Sequence, residues 1–481
     1  MRRVRDMEII HVAAELAPVA KVGGLGDVLH GLCRALIDKG NRVTILLPKY
    51  DTLDLKGVKD LKVLETTQEV RFAGVVCTNT LWHGTVDSIP VVFIESHDPK
   101  EFFDRGKVYG CPDDVDRFNY FCLSALEYIR KKECHVVHLH DWHTAALAGL
   151  IKERHPEITA KVVLTLHNLA YQGQCGAADL ERMGWKSELL RAGDHYNLLK
   201  GGIIFADKIT TVSPTYAREI LTPEMGCSLQ MTLRAHHHKL SGILNGIDYT
   251  YWNPKTDPLL PHHYSAHALE HKERVKQELR KRLSLADEKC PLVCAVTRLV
   301  PQKGPELIKS ALLRTLELGG QFILLGSTGD EKTHTQFYNL KRKLAGSSHV
   351  HLELTFNEEL SHLVFAGGDL FLIPSLFEPC GLTQQIAMRY GTVPLARSCG
   401  GLVDTVFEGK NGFLFGPPTS EALRETLDRA LETWEHKPEM WHRLIEAGMS
   451  TDFSWEKPAE KYLSLYQSRE SQESPLTPLI H

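Results

Sequence analysis

Lys21 opens a glycine-rich stretch, Val22-Gly23-Gly24-Leu25-Gly26-Asp27, that follows an apolar strand pattern and leads into a helical one. Glycines at 23, 24 and 26 let backbone N–H groups approach a ligand, the helix start behind them favours an anion, and Lys21 adds positive charge. The same glycines also suit a turn that merely joins strand to helix. Their spacing is not GxGxxG, which speaks against a dinucleotide cofactor and a dehydrogenase. A second loop, Thr297 to Gly304, sets Arg298 and Lys303 after another apolar strand, where a diphosphate could be clamped, although two cations on a surface loop are often only solvated. A third, Pro374 to Gln384, carries Glu378 before the turn Pro379-Cys380-Gly381, with Leu382 and Thr383 opening a helix whose N–H groups offer another anion seat. A carboxylate beside such a seat suits sugar hydroxyls better than phosphate.

Two further strand patterns end in polar groups: His138, His140, Asp141, Trp142 and His143 at one, His167 and Asn168 at the other. The histidines invite a metal, but His138 and His140 alternate with apolar neighbours as core residues do, and no metal site is expected. Asp141 and His167 stand as sugar-binding or acceptor-binding candidates. His236, His237 and His238 read as a solvated run, and Cys290 and Cys294 as core residues.

The elements that must position these loops alternate between strand and helix. Strands are expected at Met7–Ala14, Asn41–Leu47, Val70–Trp82, Ile89–Glu95, Val136–His140, Lys161–Thr165, Lys208–Val212 and Gly242–Leu244. Helices are expected at Asp27–Lys39 and around Phe118, Phe121, Cys122, Ala125 and Ile129, which share one face. The rhythm lapses between Tyr249 and His271, with Pro254, Pro258 and Pro261 in a polar stretch, and this reads as the domain boundary. It then restarts with strands at Leu292–Val296, Gln321–Leu325, Val350–Phe356, Leu370–Ile373 and Val393–Ala396, interleaved with helices. Continuous apolar strands separated by helices mean parallel sheets covered on both faces, an α/β architecture of two doubly wound domains. The expected division is 1–248, a linker 249–271, a second domain 272–456, a helix 457–467 returning to the first domain, and a fraying tail 468–481. Ligands of such sheets bind at the carboxyl ends of strands, so the cleft between domains is the expected site.

The chain of 481 residues holds 56 Lys+Arg against 60 Asp+Glu and is 43% hydrophobic, an ordinary globular composition without a basic footprint for nucleic acid. Its 11 cysteines show no CxxC pair, which favours a reduced, cytoplasmic setting. Glu8, His11 and Glu15 interrupt any signal-peptide core after the basic start, and no apolar run is long enough to cross a membrane. A small molecule or a neutral polymer is the expected partner, with no membrane or nucleic acid.

Assembled in order, six segments resemble bacterial glycogen synthases and plant starch synthases. They are Lys21-Val22-Gly23-Gly24-Leu25, His140-Asp141-Trp142-His143, Thr165 through Gly173, Asn245-Gly246-Ile247-Asp248, Arg298 with Gln302-Lys303-Gly304, and Glu378 through Gln384. The resemblance runs from about residue 8 to 466. It implies a GT-B fold, two Rossmann-like domains facing a central cleft, and retaining transfer of glucose from a nucleotide sugar to the non-reducing end of an α-1,4-glucan. It implies no metal and no pyridoxal phosphate. ADP-glucose is the implied donor, with UDP-glucose the alternative; a phosphorylase and a catalytically silent glucan-binding scaffold are the competing readings. By position, the resemblance puts Lys21, Gly23 and Gly24 at the donor phosphates and reacting sugar, Arg298 and Lys303 on the diphosphate, and Glu378 on the transferred glucose. It puts His167 near the glucose 6-hydroxyl or the reacting centre and Asp141 by the acceptor. Asp27, Asn245, Gln302, Cys380, Gly381, Leu382 and Thr383 complete the donor site. Phe356 stands where the family pattern leads to a tyrosine against the nucleotide base; a stack survives that exchange and a hydroxyl contact does not.

Overall fold

The structure is a computed structural model that describes residues 6–468. The expected basic start, and all of the expected tail beyond Ser468, lie outside the described residues. The chain divides into two compact units.

Among the described residues the first unit comprises 6–211, 220–243 and 455–468. Its main sheet has nine strands, in the spatial order Leu240–Gly242, Lys208–Thr211, Lys161–Leu166, Val136–His140, Glu8–Val12, Arg42–Pro48, Ile89–Ser96, Val75–Val86 and Val58–Phe72. The first seven run parallel. Apart from the edge strand Leu240–Gly242, their residues are mostly buried, as strands covered on both faces must be. Helix Gly24–Asp38 presents Leu25, Val28, Leu29, Leu32, Cys33 and Leu36 as one buried stripe and stops before Gly40, whose φ of 85° no helix continues.

Two expectations fail at the sheet edges. The strand expected at Val70–Trp82 runs across a hairpin: Ala73 and Gly74 take φ of 51° and 78° in a two-residue turn, and Phe72 pairs with Val75. A run of β-branched residues on both sides of a two-residue turn reads as continuous. The strand expected at Gly242–Leu244 is Leu240–Gly242.

The second unit comprises 212–219 and 244–454 and contains a six-stranded, wholly parallel sheet. Its order is Val350–Glu353, Gln321–Leu325, Leu292–Val296, Leu370–Ile373, Val393–Arg397 and Phe413–Phe415, that is, 3-2-1-4-5-6 in chain order. The adjoining strand Val350–Glu353 is shorter than the Val350–Phe356 expected. The stretch 249–271 is no linker, because it belongs to this unit. Leu260 and Tyr264 are part of its core. Asp257, 1% exposed, lies 2.6 Å from His362 Nδ1 and accepts from the Tyr390 hydroxyl at 2.5 Å. Prolines and polar residues suggested an exposed connection, whereas Asp257 is paired inside the unit. Helices Glu270–Arg282 and Pro438–Ser450 complete the unit.

Helix Glu456–Gln467 belongs to the first unit. Ahead of it, Trp455 lies against Gly31, where a Cβ would stand 1.9 Å from the indole nitrogen. No described helix is long and apolar enough to cross a membrane. The eleven cysteines are free, eight of them buried.

Candidate active site

Both sheets reverse direction of winding at their first strand, and open α/β sheets bind ligands at that switch point, outside the carboxyl ends. In the first unit the switch lies between Glu8–Val12 and Val136–His140; in the second, between Leu292–Val296 and Leu370–Ile373. The residues singled out by sequence follow these four strands or their neighbours.

In the first unit, Lys21 pairs with Asp27 at 2.8 Å, both side chains more than a third exposed. Gly23 takes an extended φ of −143° and Gly24 starts the helix. The loop's amides are not vacant. Glu15, 4% exposed, accepts the N–H groups of Val22 and Gly23 on Oε2 at 2.9 and 2.8 Å, and its Oε1 accepts from the Tyr109 hydroxyl at 2.9 Å. Glu15 is the residue that sequence reasoning missed; a lone carboxylate closing an apolar strand was the only signal.

Asp141 and His167 do meet. Asp141 Oδ1 accepts the backbone N–H groups of His167 at 2.7 Å and Asn168 at 3.3 Å, so its carboxylate shapes the loop that carries His167. Burial raises the Asp141 carboxyl from 3.8 to about 7, opposed by those two N–H groups. The suspected histidines form a packed stack with His11: His138 and His140 lie 4.4 Å apart between ring centroids, and His11 lies 4.8 Å from His138. The ligating nitrogens of His11, His138 and His140 fall within 4.8 Å of one another. Most are committed to hydrogen bonds: His138 to the Tyr466 and Thr165 hydroxyls, His140 to His11 and His167. Burial lowers His11, His143 and His167 to about 3 and holds His138 and His140 well below the usual imidazole range.

In the second unit, Lys303 Nζ and Glu378 Oε2 stand 2.5 Å apart, and the Ser375 hydroxyl donates to the same oxygen at 2.8 Å. Arg298 is exposed, and its guanidinium has no partner among the described residues. Gln302 ties the two loops together: its backbone O accepts from Leu376 N–H at 2.7 Å and its side chain donates to Phe377 O at 3.1 Å. Close approach requires glycine here. Gly304 has φ 65°, and a Cβ would meet Pro374 O at 2.5 Å; Gly400 has φ 47°, and a Cβ would meet Glu378 O at 1.9 Å.

Cys380 is buried, its thiol pushed up to about 12 by burial, and it neighbours Asn245. Asn245 is 6% exposed, accepts from Gln385 on its backbone O at 3.2 Å, and keeps a buried Oδ1 without a partner. Gly381 has φ 73°, and Leu382 precedes the helix Thr383–Arg389 without a side-chain cap, leaving its first N–H groups uncapped by side chains. Phe356 follows Val350–Glu353 and is 68% exposed, a bare aromatic face.

The family model for the starch synthase catalytic domain matches residues 8–235, and that for glycosyl transferases group 1 matches 275–450. A glycogen synthase from Protochlamydia amoebophila is 45% identical, covering 96% of this chain and 99% of its own. A probable starch synthase 4 from Arabidopsis thaliana is 46% identical over 95% of this chain, which spans 46% of that longer protein. Among solved structures, the catalytic domain of Arabidopsis thaliana starch synthase IV, bound to ADP and acarbose, superposes with a TM-score of 0.92 at 46% identity over 96% of this chain and 98% of its own. A sucrose-phosphate synthase from Thermosynechococcus elongatus matches at TM-score 0.61 and 18% identity over 96% of this chain and 98% of its own, a likeness of fold. With two doubly wound units, family-model matches along both and relatives similar from end to end, the chain belongs to the glycogen and starch synthase family of GT-B glycosyltransferases.

Proposed function

We propose that this enzyme elongates glycogen, transferring glucose from ADP-glucose to the non-reducing 4-hydroxyl of an α-1,4-glucan with retention of configuration and without a metal ion or pyridoxal phosphate. The observation that carries the reading is the grouping of Arg298, Lys303 and Glu378 at the switch point of the second sheet. The starch synthase relative was solved with ADP, the nucleotide that transfer from ADP-glucose leaves behind.

As the glycosidic bond breaks, the diphosphate gains negative charge while the sugar acquires oxocarbenium character. Positive groups aimed at the phosphates therefore stabilise the transition state more than the ground state. Arg298 and Lys303 fill that role, with Lys21 from the glycine loop beside them in function. Donor binding exchanges the carboxylate partner of Lys303 for phosphate and frees Glu378 to accept from glucose hydroxyls. The uncapped N–H groups after Gly381 and the Asn245 amide add neutral donors, and Phe356 offers its ring to the base. His167 donates to the sugar, and Asp141 holds its loop near the acceptor. No side chain serves as a covalent nucleophile: the acceptor hydroxyl attacks from the face the phosphate leaves, and the phosphate helps take its proton. The scattered, mostly buried cysteines suit a reducing compartment, and we place the enzyme in the cytoplasm.

Nucleotide release from ADP-glucose and UDP-glucose, with and without glycogen and with EDTA, tests this reading. Glycogen-dependent ADP release that EDTA leaves unchanged is expected, with slower release of UDP. Absence of glycogen-dependent release rejects the transfer, faster UDP release rejects the donor, and loss with EDTA rejects the metal-free chemistry.

A further inference from the structure

Three histidines of the first unit form a single-file hydrogen-bonded chain that ends at the candidate site. His11 Nδ1 lies 3.0 Å from His140 Nε2, and His140 Nδ1 lies 3.0 Å from His167 Nε2. The three come from adjacent parallel strands or the residue just past one, so the sheet itself sets their spacing.

A neutral imidazole carries one N–H and one bare nitrogen, so each link needs one ring to donate and its neighbour to accept. Two proton arrangements satisfy both links. In one, every proton sits on Nδ1: His11 donates to His140, His140 donates to His167, and His167 keeps an Nδ1–H. In the other, every proton sits on Nε2 and the donation runs backwards, leaving His167 Nδ1 bare.

The arrangements differ at the inner end. His11 Nε2 is buried without a hydrogen-bond partner. It is a bare nitrogen in the first arrangement and an orphaned N–H in the second, and orphaned buried N–H groups are the rarer defect. His138 offers that N–H no acceptor, because its Nδ1 meets the Tyr466 hydroxyl at 2.7 Å and its Nε2 the Thr165 hydroxyl at 2.6 Å. At the outer end, His167 Nδ1 has no partner among the described residues. Burial disfavours protonation along the whole chain, which keeps the one-donor, one-acceptor logic intact at neutral pH.

We infer that His140 and His11 are positioning residues that lock His167 as the Nδ1–H tautomer, so that a neutral His167 presents a fixed hydrogen-bond donor to an oxygen of the bound glucosyl donor. This rests on the reading of His167 as part of the transfer site. The lock explains why polar rings occupy the buried centre of a sheet where apolar side chains would pack without orphaned atoms.

Long-range proton–nitrogen correlation spectra of the full chain with labelled histidine, the His167 signals assigned through His167→Gln, test the tautomer without reference to activity. The expected result is a protonated Nδ1 and a bare Nε2 on His167 at neutral pH, replaced by a mixture in His140→Phe. In steady-state assays, His140→Phe is expected to lower kcat by about 10–100-fold, as loss of an orienting partner commonly does, with KM for ADP-glucose little changed. His140→Gln, which keeps a donor and an acceptor, restores part of it. Should His140→Phe fail to fold, His11→Phe interrupts the chain one ring further in and carries the same expectation for the His167 tautomer. A wild-type His167 protonated on Nε2, or a folded His140→Phe with unaltered tautomer and kcat, overturns the inference. A wild-type enzyme that transfers no glucose defeats the assigned reaction instead, and the spectra separate the two failures.

Discussion

Lys303 and Glu378 hold each other at 2.5 Å across two loops that leave adjacent parallel strands, Leu292–Val296 and Leu370–Ile373. Each carries a charge that the proposed donor needs: the ammonium for phosphate, the carboxylate for sugar hydroxyls. Paired, they neutralise one another and keep both loops in register while 93% of the Glu378 side chain is shielded from solvent. On the proposed function, the pair is a resting state with which the donor must compete.

Separate substitutions should therefore differ in kind. Lys303→Ala is expected to cost about 10²–10³ in kcat, as loss of one donor to a developing anion does. Glu378→Gln is expected to lower kcat while ADP binds at least as tightly, because Lys303 no longer has a carboxylate to leave. Titration calorimetry with ADP beside kinetics with ADP-glucose checks this; ADP affinity that falls in Glu378→Gln contradicts the exchange.

Glu15 is the support of the first glycine loop. Glu15→Ala removes a carboxylate that accepts two backbone N–H groups and the Tyr109 hydroxyl, and should destabilise the protein by about 2 kcal/mol, the scale of hydrogen bonds to a charged group lost from the interior. Urea denaturation measures it, and a stability unchanged within error shows that water replaces the carboxylate without loss.

Gly400 confines the loop of Glu378 from the other side. Gly400→Ala forces a Cβ into Glu378 O and strains a φ of 47°, so a loss above about 1 kcal/mol is expected together with a larger fall in activity than in stability. Equal thermal midpoints and equal turnover in Gly400→Ala and the parent protein reject the steric role.

The pH response follows from the buried imidazoles. His11, His143 and His167, lowered to about 3, and His138 and His140, held well below the usual imidazole range, must give up protons that the unfolded chain holds below about 6.5. Their stabilisation is present above that value and is lost as pH falls towards 3. Asp141, raised to about 7, works the other way: its contribution is present below 3.8 and is lost as pH rises through 7. Five imidazoles outweigh one carboxyl, so the thermal midpoint should fall between neutral pH and pH ~5. A midpoint that holds or rises over that interval contradicts the burial of neutral rings.

How much of this was legible depended on whether a residue's role is local or lateral. Strands Val136–His140, Leu292–Val296, Gln321–Leu325 and Leu370–Ile373 match their expected bounds end to end, because a strand buried on both faces reads as a near-continuous apolar run, interrupted here only by Gln321, His138 and His140. Edge strands such as Val58–Phe72 mix exposed and buried positions and lose that signal. The Arg298, Lys303 and Glu378 loops could be read because each follows such a strand. Strand order was not in the pattern, so neither switch point could be placed. The neighbours that couple His11 to His140 and His167 exist only once strands are side by side, and Glu15 meets Val22 and Gly23 only once the connection folds back on itself. The stretch 249–271 misled for a related reason: Asp257 reads as solvent-facing until His362 and Tyr390 are brought to it from the rest of the unit.

The most direct test is the proton spectrum of a short maltooligosaccharide acceptor extended by the EDTA-treated enzyme with ADP-glucose. Growth of α-configured 1,4 linkages, at a rate the chelator leaves unchanged and Lys303→Ala nearly abolishes, is the predicted result. A β-configured product, or extension that stops on chelation and returns with added divalent cation, would contradict the account.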